Sequence, residues 1–233
     1  MLRHLLLFIV LVSASSAWAG IVISGTRVIY PADKKEVTVN LTNKGQNASL
    51  VQSWVDTGDP TVSPAQVKVP FVIFPPITRI DGGKGQMLRL SYTGSNLPAD
   101  RESVFWLNVL AVPPKQHNDK NYLNVAYQSR LKIFYRPQTL TGSVEEAAAS
   151  LKMTKKNKGF SVVNPSPFYI SLVEIEWQSG NKEHVVQGEM IAPYGSLTLD
   201  TDDDASLRNA TACHIKYIND FGAIKQIRLA SGC

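Results

Sequence analysis

Much of the chemistry a sequence can announce is missing from this one. The 233 residues hold four histidines and two cysteines. They show no H-E-x-x-H pair, no G-x-S-x-G elbow and no metal-ligand spacing. The histidines beyond the first twenty residues are His117, His184 and His214. His214 adjoins Cys213, but neighbours on a strand point to opposite faces, so they make no thiol–imidazole pair. With no nucleophile matched to a base, the sequence does not read as an enzyme, and it calls for no metal and no cofactor. Low-complexity tracts and clear internal repeats are also absent.

Charge of one sign is not concentrated either. The formal net charge is +5, too small to argue for nucleic acid. The local cluster Lys152, Lys155, Lys156 and Lys158 lacks interleaved aromatics and reads as a solvated hairpin. Gly82-Gly83-Lys84-Gly85-Gln86 lacks phosphate-loop spacing and precedes a strand where a helix is required, so it reads as a hairpin turn. Asp200 to Asp204 begins like a calcium loop, but Ala205 stands for the needed glycine and Thr211 for the bidentate glutamate. Three sequons, at Asn40, Asn47 and Asn209, matter only in a glycosylating host.

No apolar run approaches the roughly 20 residues that span a bilayer. The longest, Leu5 to Val12, follows Arg3 and His4 and leads to Ala17-Trp18-Ala19, the order of a secretory signal peptide (residues 1–19) rather than of inserted membrane protein. Cleavage after Ala19 leaves 214 residues and a charge of +4, enough for two domains of about 100 residues each. Export favours joining Cys213 to Cys233, which flank the turn-like Asn219-Asp220-Phe221-Gly222.

What is present is alternation. Val37–Leu41, Leu50–Val55, Met87–Leu90, Val104–Val112, Tyr122–Tyr135, Phe160–Val163 and Tyr169–Trp177 read as strands of period 2. Pro, Gly and Asn/Asp clusters separate them, as in sandwiches or barrels. Only Glu145–Leu151 has helical composition. The pattern breaks at Arg136–Gly142, giving an N-terminal domain over 20–140 and a C-terminal one over 141–233. In the long strand, Leu123, Val125 and Tyr127 alternate with Asn124, Ala126 and Gln128. This apolar row is either an ordinary core row or the knobs of an edge strand offered to another protein.

Several motifs then resemble the periplasmic pilus chaperones, the PapD-like family. They are Leu97-Pro-Ala-Asp-Arg-Glu102-Ser-Val-Phe-Trp-Leu-Asn108 with Pro113-Pro114, Pro75-Pro76 with Arg79, and Lys132-Ile-Phe-Tyr-Arg136-Pro137. Asn164-Pro-Ser-Pro-Phe-Tyr169 and Tyr217-Ile-Asn-Asp220-Phe-Gly222 complete the set. The resemblance implies an all-β protein of two immunoglobulin-like sandwiches in a boomerang, which holds pilus subunits and passes them to an outer-membrane usher. It implies donor-strand complementation, a mode of strand addition for which chaperone–pilin pairs are a standing example. Leu123, Val125 and Tyr127 would then fill the client's open core, each at about 1.5–3 kcal/mol when well buried. Arg27 and Lys132 would grip the client's C-terminal carboxylate through charge-assisted hydrogen bonds, and Glu102, Arg136 and Asp220 would form an ionic network between the domains. A regular strand aims Lys132 away from the face of Leu123, Val125 and Tyr127 unless a twist or bulge intervenes. The short, cysteine-free segment before Tyr122 resembles the short-loop subfamily. The alternative is a secreted immunoglobulin-like adhesion or receptor-binding module, which leaves Arg27, Lys132 and the apolar row without a common purpose.

Overall fold

A computed structural model describes residues 20–94, 96–115, 123–156, 158–201, 206, 209–210 and 212–228. The expected signal peptide, Tyr122, most of the acidic turn at 202–205 and Cys233 lie outside the described residues.

The N-terminal half is two facing sheets. One holds β1 (Ile21–Ile23), β3 (Glu36–Asn43), β5 (Phe71–Phe74) and β7 (Gly85–Tyr92) in the order β1-β3-β7-β5. The other holds β2 (Arg27–Pro31), β4 (Ser49–Asp56), β6 (Ile77–Ile80), β8 (Ser103–Val112) and β9 (Tyr127–Arg136) in the order β2-β9-β8-β4-β6. Alternation explains both: Val39 and Leu41 on β3, Leu88 and Leu90 on β7, Leu107 and Val109 on β8, and Leu131 and Ile133 on β9 are buried between the sheets while their neighbours face outward. Tyr30 is completely buried, and its hydroxyl is satisfied by the carbonyls of Lys34 and Lys35 and the N–H of Tyr92.

The C-terminal half repeats the plan. A short helix, α1 (Val144–Ala149), leads in, starting one residue before and ending two residues before the expected Glu145–Leu151, with Ser143 and Glu146 capping its start reciprocally. The strands β10 (Lys152–Lys156), β11 (Gly159–Val163) and β15 (Ser196–Asp200) form one sheet. Facing it are β12 (Ile170–Ser179), β13 (Lys182–Gln187), β14 (Met190–Ile191), β16 (Ala212–Ile218) and β17 (Ile224–Arg228). Trp177, Phe160, Ile170, Ile175 and Ile215 fill the space between. Asn164 holds the turn that follows β11, its amide donating to the carbonyls of Phe168 at 2.7 Å and Ala192 at 3.0 Å. The basic cluster does sit on the hairpin β10–β11.

The glycine-rich segment at residues 82–86 is a correction. It is a turn, with Lys84 N–H bonded to Asp81 O at 3.0 Å and Gly83 at φ +71°, but it closes no hairpin. It carries the chain from β6, which pairs with β4, to β7, which pairs with β3 and β5 in the other sheet. Alternation in the flanking strands is the same whichever sheet each joins, so the sequence pattern cannot tell the two apart.

Candidate functional site

Strand β9 organises the site. It runs antiparallel to β8 along its whole length, Ala111 opposite Tyr127 and Ser103 opposite Tyr135. On its other side β2 lies parallel and covers only Lys132 to Arg136, with Arg27 opposite Lys132. Residues 127–131 therefore have a sheet neighbour on one side only, an open edge with unpaired backbone groups.

The strand starts later than the alternation suggests. Tyr122–Tyr135 reads as one strand, whereas the structure begins it at Tyr127, and 123–126 carry no strand assignment. The reason is the partner: pairing with β8 stops at Ala111–Tyr127, and nothing among the described residues ladders with the preceding four. Leu123, Val125 and Tyr127 are exposed to 86%, 59% and 41%, so they are not an ordinary core row. The Tyr127 hydroxyl is nonetheless engaged, donating to Ile21 O at 2.8 Å.

The register of β9 is unbroken, so no bulge alters its parity. Tyr127, Ser129, Leu131 and Ile133 share the inward face, and Leu131 and Ile133 belong to the core. Arg130, Lys132 and Arg136 share the opposite face. These cations differ in one respect. Arg130 forms a two-pronged pair with Asp56, at 2.8 and 3.0 Å, and its Nε donates to Asn108 Oδ1 at 3.0 Å. Asp56 and Asn108 are themselves buried, and Gln128 completes this network. Arg136 is saturated by Glu102 Oε1 at 2.7 Å and by both oxygens of Asp220, at 2.7 and 3.0 Å. Among the described residues Lys132 has no carboxylate partner. Sequence reasoning missed Asp56, Asn108 and Arg130, since contacts between distant polar residues leave no periodicity. The available signal was Asn108, a polar residue in the middle of an apolar strand, and Asp56, at the end of another.

Arg27 lies beside Lys132. Its Nη1 donates to Ile218 O at 3.1 Å and to Ser171 Oγ at 3.4 Å, and its guanidinium stands 5.8 Å from the Phe134 ring centre. Its Nε is buried without a hydrogen-bond partner. Burial lowers the Lys132 pKa from the usual lysine range, and the neighbouring Arg27 charge lowers it further. Burial likewise lowers that of Arg27, against the pull of Asp220. Arg27 and Lys132 are thus adjacent, partly desolvated cations, neither in an ion pair among the described residues, a chemistry suited to an anion, with Asp220 the carboxylate whose field reaches Arg27.

The second cluster joins the two halves. Glu102, at 2% exposure, accepts from Arg136 through Oε1 and from Tyr169 N–H at 2.8 Å through Oε2. Burial raises its pKa, opposed by Arg136 and the Tyr169 N–H. Arg136 also stacks over Phe168, 5.1 Å from its ring centre. The structure thus brings Glu102, Arg136 and Asp220 together.

Residues 20–141 match the model of the N-terminal domain of the PapD pili and flagellar-assembly chaperones, and residues 146–229 match the PapD C-terminal domain. The chain belongs to the PapD family of pilus assembly chaperones. These chaperones are not enzymes. A relative, the probable fimbrial chaperone YadV of Escherichia coli, is 44% identical over 218 residues, covering 90% of this chain and 89% of its own. The crystal structure of the CupB2 chaperone of Pseudomonas aeruginosa is similar with a TM-score of 0.79 at 34% identity, covering 91% of this chain and all of that one. The SafB chaperone of Salmonella enterica, solved in complex with the SafA pilin, is similar with a TM-score of 0.75 at 28% identity, over 93% of this chain and 99% of that one. The two immunoglobulin-like sandwiches expected from the sequence are thereby shown.

Proposed function

We propose that this chaperone binds and caps incomplete pilus subunits in the periplasm by donor-strand complementation, and passes them to an outer-membrane usher. One observation carries the reading. On the outer face of β9, Arg130 and Arg136 are ion-paired with the chain's own carboxylates, while among the described residues Lys132 and its neighbour Arg27 are not. That pair can receive the C-terminal carboxylate of a client, leaving the client's preceding residues to run along the open edge of β9. Leu123 and Val125 then lie where a client groove missing a strand would take them up, with strand addition satisfying the backbone on both sides. A solved complex of the related SafB with a pilin supports subunits as the partner class.

The same reading makes Glu102, Arg136 and Asp220 the joint that sets the angle between domains 20–140 and 141–233. It takes the segment 1–19 as the export signal. It also joins Cys213, which is buried, to Cys233. The chain-entropy model gives that loop of about 20 residues roughly 3 kcal/mol of stabilisation.

The test is co-expression in the periplasm with a pilus subunit from the same gene cluster, followed by purification on the chaperone. A one-to-one complex of chaperone and subunit is expected, with the subunit degraded when the chaperone is omitted. Subunit that accumulates equally without it, and never co-purifies, refutes the reading.

A further inference from the structure

The turn between β16 and β17 presents an aromatic side chain to solvent beside the paired cations. Phe221 is 90% exposed and Ile224, three residues on, is 61% exposed. Single exposed apolar residues are ordinary, but these two sit on a turn that is held from several sides. The Asn219 side chain accepts from Phe221 N–H at 3.2 Å and from Ala223 N–H at 2.9 Å. The backbone closes on itself through Gly222 N–H to Asn219 O and Asn219 N–H to Ala223 O, both at 3.0 Å. Asp220 is clamped by Arg136. Gly222, at φ +82°, lies so near β2 that an added Cβ would come within 2.4 Å of Thr26 Oγ1.

The turn is therefore braced by hydrogen bonds from several sides, and Gly222 packs closely against Thr26, the residue next to Arg27. The link to Arg27 is direct as well, since Arg27 donates to Ile218 O at the other end of the same turn. Ile218 and Ile224 are cross-strand partners, and Ser171, also opposite Ile218, meets the Arg27 guanidinium. One face of the C-terminal sheet thus runs from the cation pair to an exposed apolar ledge. A phenylalanine offers about 150–250 Å² of contact area and has only two side-chain torsions to order on binding.

We propose that Phe221 and Ile224 form a specificity ledge that reads apolar side chains in the last residues of the client, next to the carboxylate gripped by Arg27 and Lys132. The occupant is a chain end, because the ledge adjoins two cations that form no ion pair among the described residues, the nearby Asp220 being taken by Arg136, and a carboxylate with apolar side chains before it complements both features. The inference rests on the clamp reading above, deepens it, and gives the C-terminal domain a share in client choice.

The experiment measures binding of three fluorescein-labelled nonapeptides by anisotropy, alike except at the end: Leu-Leu free acid, Ser-Ser free acid and Leu-Leu amide. The wild-type chaperone is compared with Phe221→Ser, Ile224→Ser and Arg27→Ala, all checked for an unchanged melting curve. Wild type is expected to favour the Leu-Leu acid over the Ser-Ser acid by about tenfold, and Phe221→Ser and Ile224→Ser to reduce that ratio to roughly threefold or less. Their preference for acid over amide should stay, whereas Arg27→Ala should lose it. A ratio unchanged in both ledge variants, a wild type that does not discriminate the two acids, or no binding of either acid at about 1 mM overturns the ledge. Equal binding of acid and amide to wild type instead overturns the clamp, so the two failures are distinct.

Discussion

The hydroxyl of Tyr127 donates to the carbonyl of Ile21 at 2.8 Å, tying the first residue of β9 to β1. Deep in a client's apolar core that hydroxyl would lose its partner, a cost of about 1–3 kcal/mol. Kept on Ile21 it costs nothing, so on the proposed donor-strand reading Leu123 and Val125 would carry the apolar filling and Tyr127 would sit at its rim. Tyr127→Phe should lower stability by about 1 kcal/mol, a melting shift of roughly 2–4 °C, and leave subunit capture intact. A normal melting temperature with reduced complex would mean that the hydroxyl serves the client instead.

The paired cations predict a pH dependence with a definite sign. Burial, then the Arg27 charge, holds the Lys132 pKa below the usual lysine range, and a bound carboxylate pulls it up again. Between the two values binding takes up a proton, so affinity falls as pH rises, beginning below the ordinary lysine pKa of about 10.4. In the free chain a depressed lysine acts the other way. Its stabilising contribution is present above the unfolded pKa and lost as pH falls through the lowered one. Subunit or peptide affinity measured from about pH 7 to 10 should weaken for wild type and stay flat for Lys132→Arg, whose guanidinium remains charged. Equal slopes for both proteins would remove Lys132 from the site. Arg27→Ala and Lys132→Ala should each abolish recovery of the complex while the chaperone itself stays folded.

The network of Glu102, Arg136 and Asp220 calls for a different variant. Glu102 is buried, and burial raises its pKa despite Arg136. A raised carboxyl contributes stability only at low pH, lost as pH rises through the folded value, so the ionised group adds none at neutrality. Arg136→Ala strands that carboxylate and should cost about 3–5 kcal/mol, a melting drop on the order of 10 °C. Adding Glu102→Gln should recover part of the loss, and the single variant's deficit against wild type should shrink as pH falls. A double variant worse than the single one would contradict this account of the joint.

Much of the scaffold was legible because burial imposes period 2. Leu88 and Leu90, or Leu107 and Val109, declare β7 and β8 unaided. Short strands escaped. The segment of β2, Arg27-Val-Ile-Tyr-Pro31, has two outward positions of mixed polarity and ends on proline, and β6 is four residues long. Sheet membership escaped too, which is why residues 82–86 read as a hairpin. Arg27 and Lys132 entered through family resemblance alone, since nothing local distinguishes Lys132 from Arg130. Their difference lies in Asp56, which only the fold brings to Arg130 at 2.8 Å.

The proposed donor-strand mechanism turns on Val125. It stands in the alternating row between Leu123 and Tyr127, with a side chain 59% exposed in the free chain. Val125→Asp places a carboxylate there at little cost to the free chaperone, because the group stays hydrated. In the complex the same carboxylate would enter an apolar groove with no partner, costing several kcal/mol or forcing the strand out. The variant should therefore melt within about 1–2 °C of wild type and yield little or no subunit complex. Leu123→Asp should behave alike if the row acts as a unit, whereas Asn124→Asp, opposite in parity, should retain complex. Melting curves of the three purified variants beside their complex yields decide the matter. A Val125→Asp protein that melts normally and still captures subunits excludes this row as the donor, and one that unfolds would mean the side chain is buried in the free chaperone after all.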